Sequence, residues 1–170
     1  MSDHEIRTIF VTGLRNAHAM ENQALSIMKP QLSRIENYPD VAQRLDLHMQ
    51  ETEGQLARLE AILRQLDEDH STLKDMALSF TGAMAAMGHT LAGDEILKNS
   101  FANFAFEHFE IAAYKSLIAV AECGGFPFAV SALQANLAEE QAMAAWIDDN
   151  LRAVTLKFAS LKETGETAKI

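Results

Sequence analysis

Six residues carry the donor atoms that a metal centre needs at spacings that could bring them together: Glu21, His48, Glu51, Glu107, Glu110 and Glu140. Glu21 and Glu110 stand 89 residues apart, as do Glu51 and Glu140, and His18 and Glu107 repeat the same offset. Two halves of the chain thus place carboxylates in matching register, as a duplicated helix pair would. Spread at the angular step of an α-helix, Phe10, Leu14, Ala17, Leu25, Met28 and Leu32 form one apolar face with Glu21 at its middle. Leu133, Leu137, Ala144, Ile147, Leu151 and Val154 form another, centred on Glu140, while Glu139 points off it and reads as solvated. Phe106, Glu110, Ala113, Leu117 and Ala121 form a third, with Glu107 and Tyr114 one turn either side of Glu110. The fourth holds Leu45, His48, Thr52, Leu56, Leu59 and Leu66, with Glu51 at its edge, one turn after His48. A charge on a buried face costs several kcal/mol unless it is compensated. Four such faces, each carrying a carboxylate, are compensated together by two cations. Carboxylate with imidazole suits iron foremost, and manganese or zinc as well.

The plainer reading makes these glutamates half-buried edge residues paired with Arg15, Arg44, Arg58 or Lys115. Glu51 is the most exposed to it. His18 diverges from Glu21 on the wheel and reads as structural or supporting, and His108 falls on the opposite face of its helix. His4, His70 and His89 fall in termini or loops and receive no role. Tyr114 could donate a hydrogen bond to the centre or serve as a radical site, its alternative being simple packing with a satisfied hydroxyl.

Four long helices must position these groups. Periodicity predicts them over about 5–35, 41–66, 95–122 and 128–161, with a bend near Pro30 and Asp94 as a cap. Turns ENYPD and CGGFP join the first and last pairs. The middle connection is long and has its own apolar period at Leu73, Met76, Phe80 and Met84, which predicts a short extra helix. Short, long and short connections are the pattern of ferritin-like bundles, with an up-down bundle carrying an inserted fifth helix as the alternative. The expected architecture is all-α: one domain over 5–161, then a frayed polar tail over 162–170. The third helix has a second apolar face, Leu97, Phe101, Phe104, Ile111 and Ile118, to be covered by the crossover or by another subunit. Met76, Met84 and Met87 suit either arrangement, and a homodimer is the default.

The 170 residues suit one domain, and 27 alanines against 3 prolines and 8 glycines favour helix. A net charge of −10 argues against nucleic acid and anionic lipid as partners. The single cysteine, Cys123, excludes an intramolecular disulfide and a cysteine zinc cluster. The start MSDHEIRTIF has no secretory pattern, and no run is long and apolar enough to span a membrane. A cytoplasmic protein is expected.

HMQETEGQLARLE (48–60) and EHFEIAAYKSL (107–117) resemble signature segments of the bacterial YciE/YciF-like proteins, ferritin-like and stress-associated. AMENQAL around Glu21 and NLAEEQA around Glu140 are similar to the first- and fourth-helix motifs. The resemblance spans nearly the whole chain and implies a rubrerythrin-like bundle, a dimetal site and a homodimer. By motif it implies Glu21, Glu51, Glu107, Glu110 and Glu140 as ligands, with His48 a further one. Three features depart from the pattern: the order His48-x-x-Glu51 is reversed, Met143 and Ala144 follow Glu140, and His18 stands where a tyrosine is expected. The expected function is a dimetal–carboxylate protein reacting with dioxygen or peroxide in stress defence. Its alternative is a stress or scaffold protein whose metal is structural or vestigial.

Overall fold

Pro39 and Pro127 each sit in the first turn of a helix, where a missing N–H costs nothing. They open two of the four helices in the computed structural model, which describes residues 3–68 and 93–170. The helices are α1 (Asp3–Leu32), α2 (Pro39–Gln65), α3 (Glu95–Cys123) and α4 (Pro127–Thr164). The described residues contain no strand. Helix α1 runs through Pro30 and ends two residues later, so the expected extension to Ile35 does not form. Asp94 occupies the cap position of α3, but its carboxylate makes no capping bond and pairs with Lys98 at 2.9 Å. Gly125, at φ 76°, makes the left-handed step between α3 and α4 that other residues adopt only with strain.

The helices form a ring in which α1 touches α2 and α3, and α4 touches α2 and α3. Arg7 near the start of α1 donates to Leu66 O beyond the end of α2, so those two helices are antiparallel. Gln31 near the end of α1 exchanges amide hydrogen bonds with Asn103 near the start of α3, so these are antiparallel as well. Helices α2 and α3 therefore run the same way, and the connection from Leu66 to Asp94 joins opposite ends of the bundle. That is the one-long-crossover, ferritin-like arrangement. The expected short helix at Leu73, Met76, Phe80 and Met84, together with Met87, His70 and His89, lies outside the described residues.

The core is continuous along the bundle axis, with Phe10, Leu14, Leu59 and Leu133 fully buried. A smaller cluster of Tyr38, Ile96 and Val154 closes the end where α3 begins. The expected frayed tail is not what forms there. Helix α4 continues to Thr164, Gly165 ends it at φ 75°, and Ala168 and Ile170 are buried. The tail's polar side chains conceal backbone acceptors that the bundle end uses. Lys169 O accepts from Ile96 N at 2.9 Å, Ala168 O from the Tyr38 hydroxyl at 2.7 Å, and Thr167 O from Asn37 Nδ2 at 2.7 Å. Beside this strap the buried Glu95 pairs with Arg34 at 2.6 Å and Lys169 at 3.3 Å. Burial opposes ionisation of Glu95, but these two cations outweigh it and hold its pKa below the ordinary carboxyl value.

Candidate metal centre

One buried face of each helix contributes to the middle of the bundle: Glu21 from α1, His48 from α2, Glu107 and Glu110 from α3, and Glu140 from α4. His48, Glu107, Glu110 and Glu140 can each offer one donor atom such that all four atoms lie within 4.8 Å of one another. The structure thus gathers four of the six sequence candidates. Glu21 is fully buried beside them, but outside this group. Its Oε1 accepts the Tyr114 hydroxyl proton. Glu51 lies at the stripe's edge, its side chain 23% exposed, with Oε2 taking Arg44 and His48 Nδ1, each at 3.0 Å. His18 turns away to Glu60, 3.3 Å from Nε2, and His108 is exposed.

His48 Nε2 faces the carboxylates, 3.3 Å from Glu107 Oε2 and 3.6 Å from Glu140 Oε2. Burial alone would lower its pKa, but hydrogen bonds with Glu107 and Glu51 and the neighbouring negative charges carry it to about 10. Burial raises Glu140 to about 10, helped by the charges of Glu21 and Glu107. Burial likewise lifts Glu21 to about 8, against the pull of the Tyr114 hydrogen bond and of His48. Glu110 is pushed well above the ordinary carboxyl range by burial and by three neighbouring carboxylates. Glu51 goes the other way: His48 and Arg44 outweigh its partial burial and lower its pKa.

Buried polar atoms nearly always find partners. Here Glu21 Oε2, both Glu110 oxygens and Glu140 Oε2 are buried with no hydrogen-bond donor, and Glu107 Oε2 has only the 3.3 Å approach of His48 Nε2. Oxygen-rich ligands with one imidazole are what iron, manganese or zinc accept, so the donor set fits a metal.

A second tier of side chains fixes the first. Gln55 Nε2 donates to Glu140 Oε1. Arg58 offers only donors, so the Asn136 oxygen must turn toward it. The Asn136 amide then donates to the Tyr114 oxygen at 2.9 Å, which leaves the tyrosine's one proton for Glu21. Burial and the Glu21 charge hold the Tyr114 pKa well above its usual value, so the hydroxyl remains a donor. Arg58 itself grips Glu139 with two bonds of 2.9 and 2.6 Å. Glu139, expected to be solvated, is therefore a paired residue. Gln55 and Asn136 were not singled out from sequence. The signal lay in helical spacing: Gln55 follows His48 by seven residues, and Asn136 precedes Glu140 by four.

The sequence profile of a family described as a domain of unknown function, DUF892, matches residues 5–160. Protein YciF of Escherichia coli K12 is 27% identical over 150 residues, 84% of this chain and 87% of that protein. A crystal structure of a protein from Xanthomonas campestris pv. campestris superposes with a TM-score of 0.77 at 28% identity, over 93% of this chain and 99% of the other. YcfI of Rhodopseudomonas palustris, whose proposed role is structural, gives 0.65 at 25% identity over 84% and 92%. The crystal structure of YciF, described as an E. coli stress protein, gives 0.64 at 21% identity over 86% and 94%, a likeness of fold.

Proposed function

The chain belongs to the DUF892 family, and from the chemistry of its core we propose that it is a metal–carboxylate protein whose bundle holds iron for reaction with a small oxidant. His48, Glu107, Glu110 and Glu140 are the first ligands, with Glu21 beside them as a further carboxylate. Glu51 accepts a hydrogen bond from His48 Nδ1–H and so presents Nε2 to the metal, the usual office of a carboxylate behind a ligating histidine. The observation that carries the reading is the set of four buried carboxylate oxygens without donors on Glu21, Glu110 and Glu140, beside the buried Glu107 and His48. Two metal ions, iron foremost with manganese or zinc as alternatives, are the proposed complement. Bound iron or manganese would supply one-electron redox chemistry toward dioxygen or peroxide. A stress role is supported by what its relative YciF is called. Cytoplasmic residence is part of the same proposal; among the described residues no helix is long and apolar enough to cross a membrane. So is a homodimer, supported by the half-exposed Phe101 on α3.

The test is elemental analysis of protein purified without chelators, beside a Glu110→Ala variant. Metal in the wild type and its loss from the variant are expected, and undiminished metal in the variant refutes the ligand set. A structural role for the metal is the second reading. It is favoured by the bracing of α2 to α4 through Gln55–Glu140 and of α3 to α1 through Tyr114–Glu21. Bound metal that raises the thermal midpoint but turns over neither dioxygen nor peroxide would select it.

A further inference from the structure

A partly enclosed cavity of about 20 Å³ lies between α1 and α3 and reaches the carboxylate cluster at Glu107. Ala24 and Met28 on one side and Ala102 and Phe106 on the other are its buried walls. Ile27 and Asn103, both half-buried, stand at its outer edge, while Glu107, 3% exposed, forms its inner end. A void needs roughly 10–15 Å³ to hold one water, so this one has room for a molecule of a few atoms. Water also needs two to four polar partners, and apolar voids without them stay dry. The Asn103 amide spends one donor and one lone pair on Gln31 at 2.9 and 3.3 Å, so Glu107 at the inner end and the rest of that amide at the outer edge are the polar groups, with apolar walls between them. Hydrogen peroxide, with two donors and four lone pairs, would shed its water hydrogen bonds on entering. Dioxygen makes almost none, and sheds none.

We propose that this cleft is a dioxygen-binding passage to the carboxylate centre, kept open by the small side chains of Ala24 and Ala102. The inference rests on the metal–oxidant reading and narrows its substrate to dioxygen. Each alanine faces a position where a larger residue would fill the space, and their methyl groups border a void instead of a neighbour. The passage joins the centre on the Glu107 side.

Dissolved dioxygen is paramagnetic, so the metal-free wild-type protein can be tested directly by methyl relaxation in NMR under oxygen pressure. The methyls of Ala24, Met28 and Ala102 should show an oxygen-induced relaxation roughly threefold or more above that of the comparably buried Ile62 and Ile147, since an empty apolar cavity binds apolar gas. Ala102→Leu should abolish the excess at Ala24 and Met28. Ile27→Trp, at a half-buried site with little bearing on folding, should reduce it as well. Equal relaxation at cleft and control methyls overturns the passage, and so does an excess that survives both substitutions. Metal content on the same samples separates the two claims. Metal bound without an oxygen effect overturns the passage alone, whereas an oxygen effect in a protein that never binds metal supports the passage and overturns the metal–oxidant reading.

Discussion

Glutamine in place of Glu140 should weaken metal binding and, in the same protein, stabilise the metal-free fold. The side chain is fully buried in the midst of three other carboxylates, and its pKa stands at about 10. An unfolded glutamate titrates near 4.5, so at pH 7 the folded metal-free chain must take up a proton that the unfolded chain would not hold. The gap of about 2.5 pH units at about 1.4 kcal/mol each makes the cost about 3–4 kcal/mol, carried by the cluster because its carboxylates share protons. Glutamine removes this cost and keeps the oxygen that accepts from Gln55. Its amide can also donate to Glu107. The sign follows from the raised pKa: glutamate has its full stability below pH 4.5 and loses it as pH climbs toward 10. The advantage of glutamine should thus be under about 1 kcal/mol at pH 5 and about 3–4 kcal/mol at pH 7. For a chain of this size, that is a rise of about 6–16 °C in Tm. Metal reverses the order. Ligation needs carboxylate at Glu140 and neutral imidazole at His48, so binding releases protons and tightens as pH rises. Thermal unfolding at pH 5 and pH 7, with chelator and with added metal, measures both effects. A variant that is less stable without metal, or whose advantage is the same at both pH values, refutes the account of Glu140.

Glu51→Ala should leave metal stoichiometry unchanged but cost about 10–100-fold in affinity, because His48 loses the group that orients it; a competition titration with a chromophoric chelator reads this, and loss of a whole equivalent would make Glu51 a ligand instead. Tyr114→Phe should destabilise the protein by about 1–3 kcal/mol in denaturant unfolding, since Glu21 Oε1 is left buried without a donor. Glu95→Ala should cost about 1–2 kcal/mol by removing charge-assisted bonds to Arg34 and Lys169, whose part-exposed charges remain solvated. Hydrogen exchange at Ile96, whose amide is held by Lys169 O, should rise more than exchange at mid-bundle amides.

The four helices were legible to within about three residues at each end, because apolar periodicity over this many turns leaves little choice. Glu21, Glu110 and Glu140 were legible for the same reason: each sits at the centre of an apolar stripe, where a charge stands out. The second tier was harder to see. Gln55 and Asn136 are uncharged, so nothing on a helical wheel marks them, and the stripe on α2 was drawn through Leu56. The structure buries Gln55 instead and leaves Leu56 half-buried, a rotation of one position that a wheel at fixed step does not resolve. The tail misled for a different reason. Its side chains are polar, but what docks is its backbone, and backbone acceptors have no signature in sequence. Glu95 stands in the first turn of α3, and only the fold brings Arg34 and Lys169 to it.

The repeat at 89 residues bears on how many metals the bundle takes. A perfect duplication would give two equal half-sites, with His18, Glu21 and Glu51 mirroring Glu107, Glu110 and Glu140. The structure uses the halves unequally. All three residues of the second half enter the donor group, whereas in the first half His18 faces Glu60, Glu51 serves His48, and only Glu21 is fully buried near the cluster. Glu21 is also the one carboxylate here whose pKa is pulled down by a hydroxyl donor, and to bind a metal through both oxygens it must give up that bond. The first ion should therefore bind to His48, Glu107, Glu110 and Glu140, and a second should bind more weakly, at Glu21. Losing one neutral hydrogen bond at about 1 kcal/mol, together with repulsion from the first cation, sets the two steps apart by about tenfold or more. Titration of the chelator-treated protein with Co(II), followed by its d–d absorption, should show two unequal steps, and Tyr114→Phe should bring the second closer to the first. Two equal steps in the wild type would mean that the duplicated halves are equivalent after all, and that Tyr114 does not hold Glu21 back.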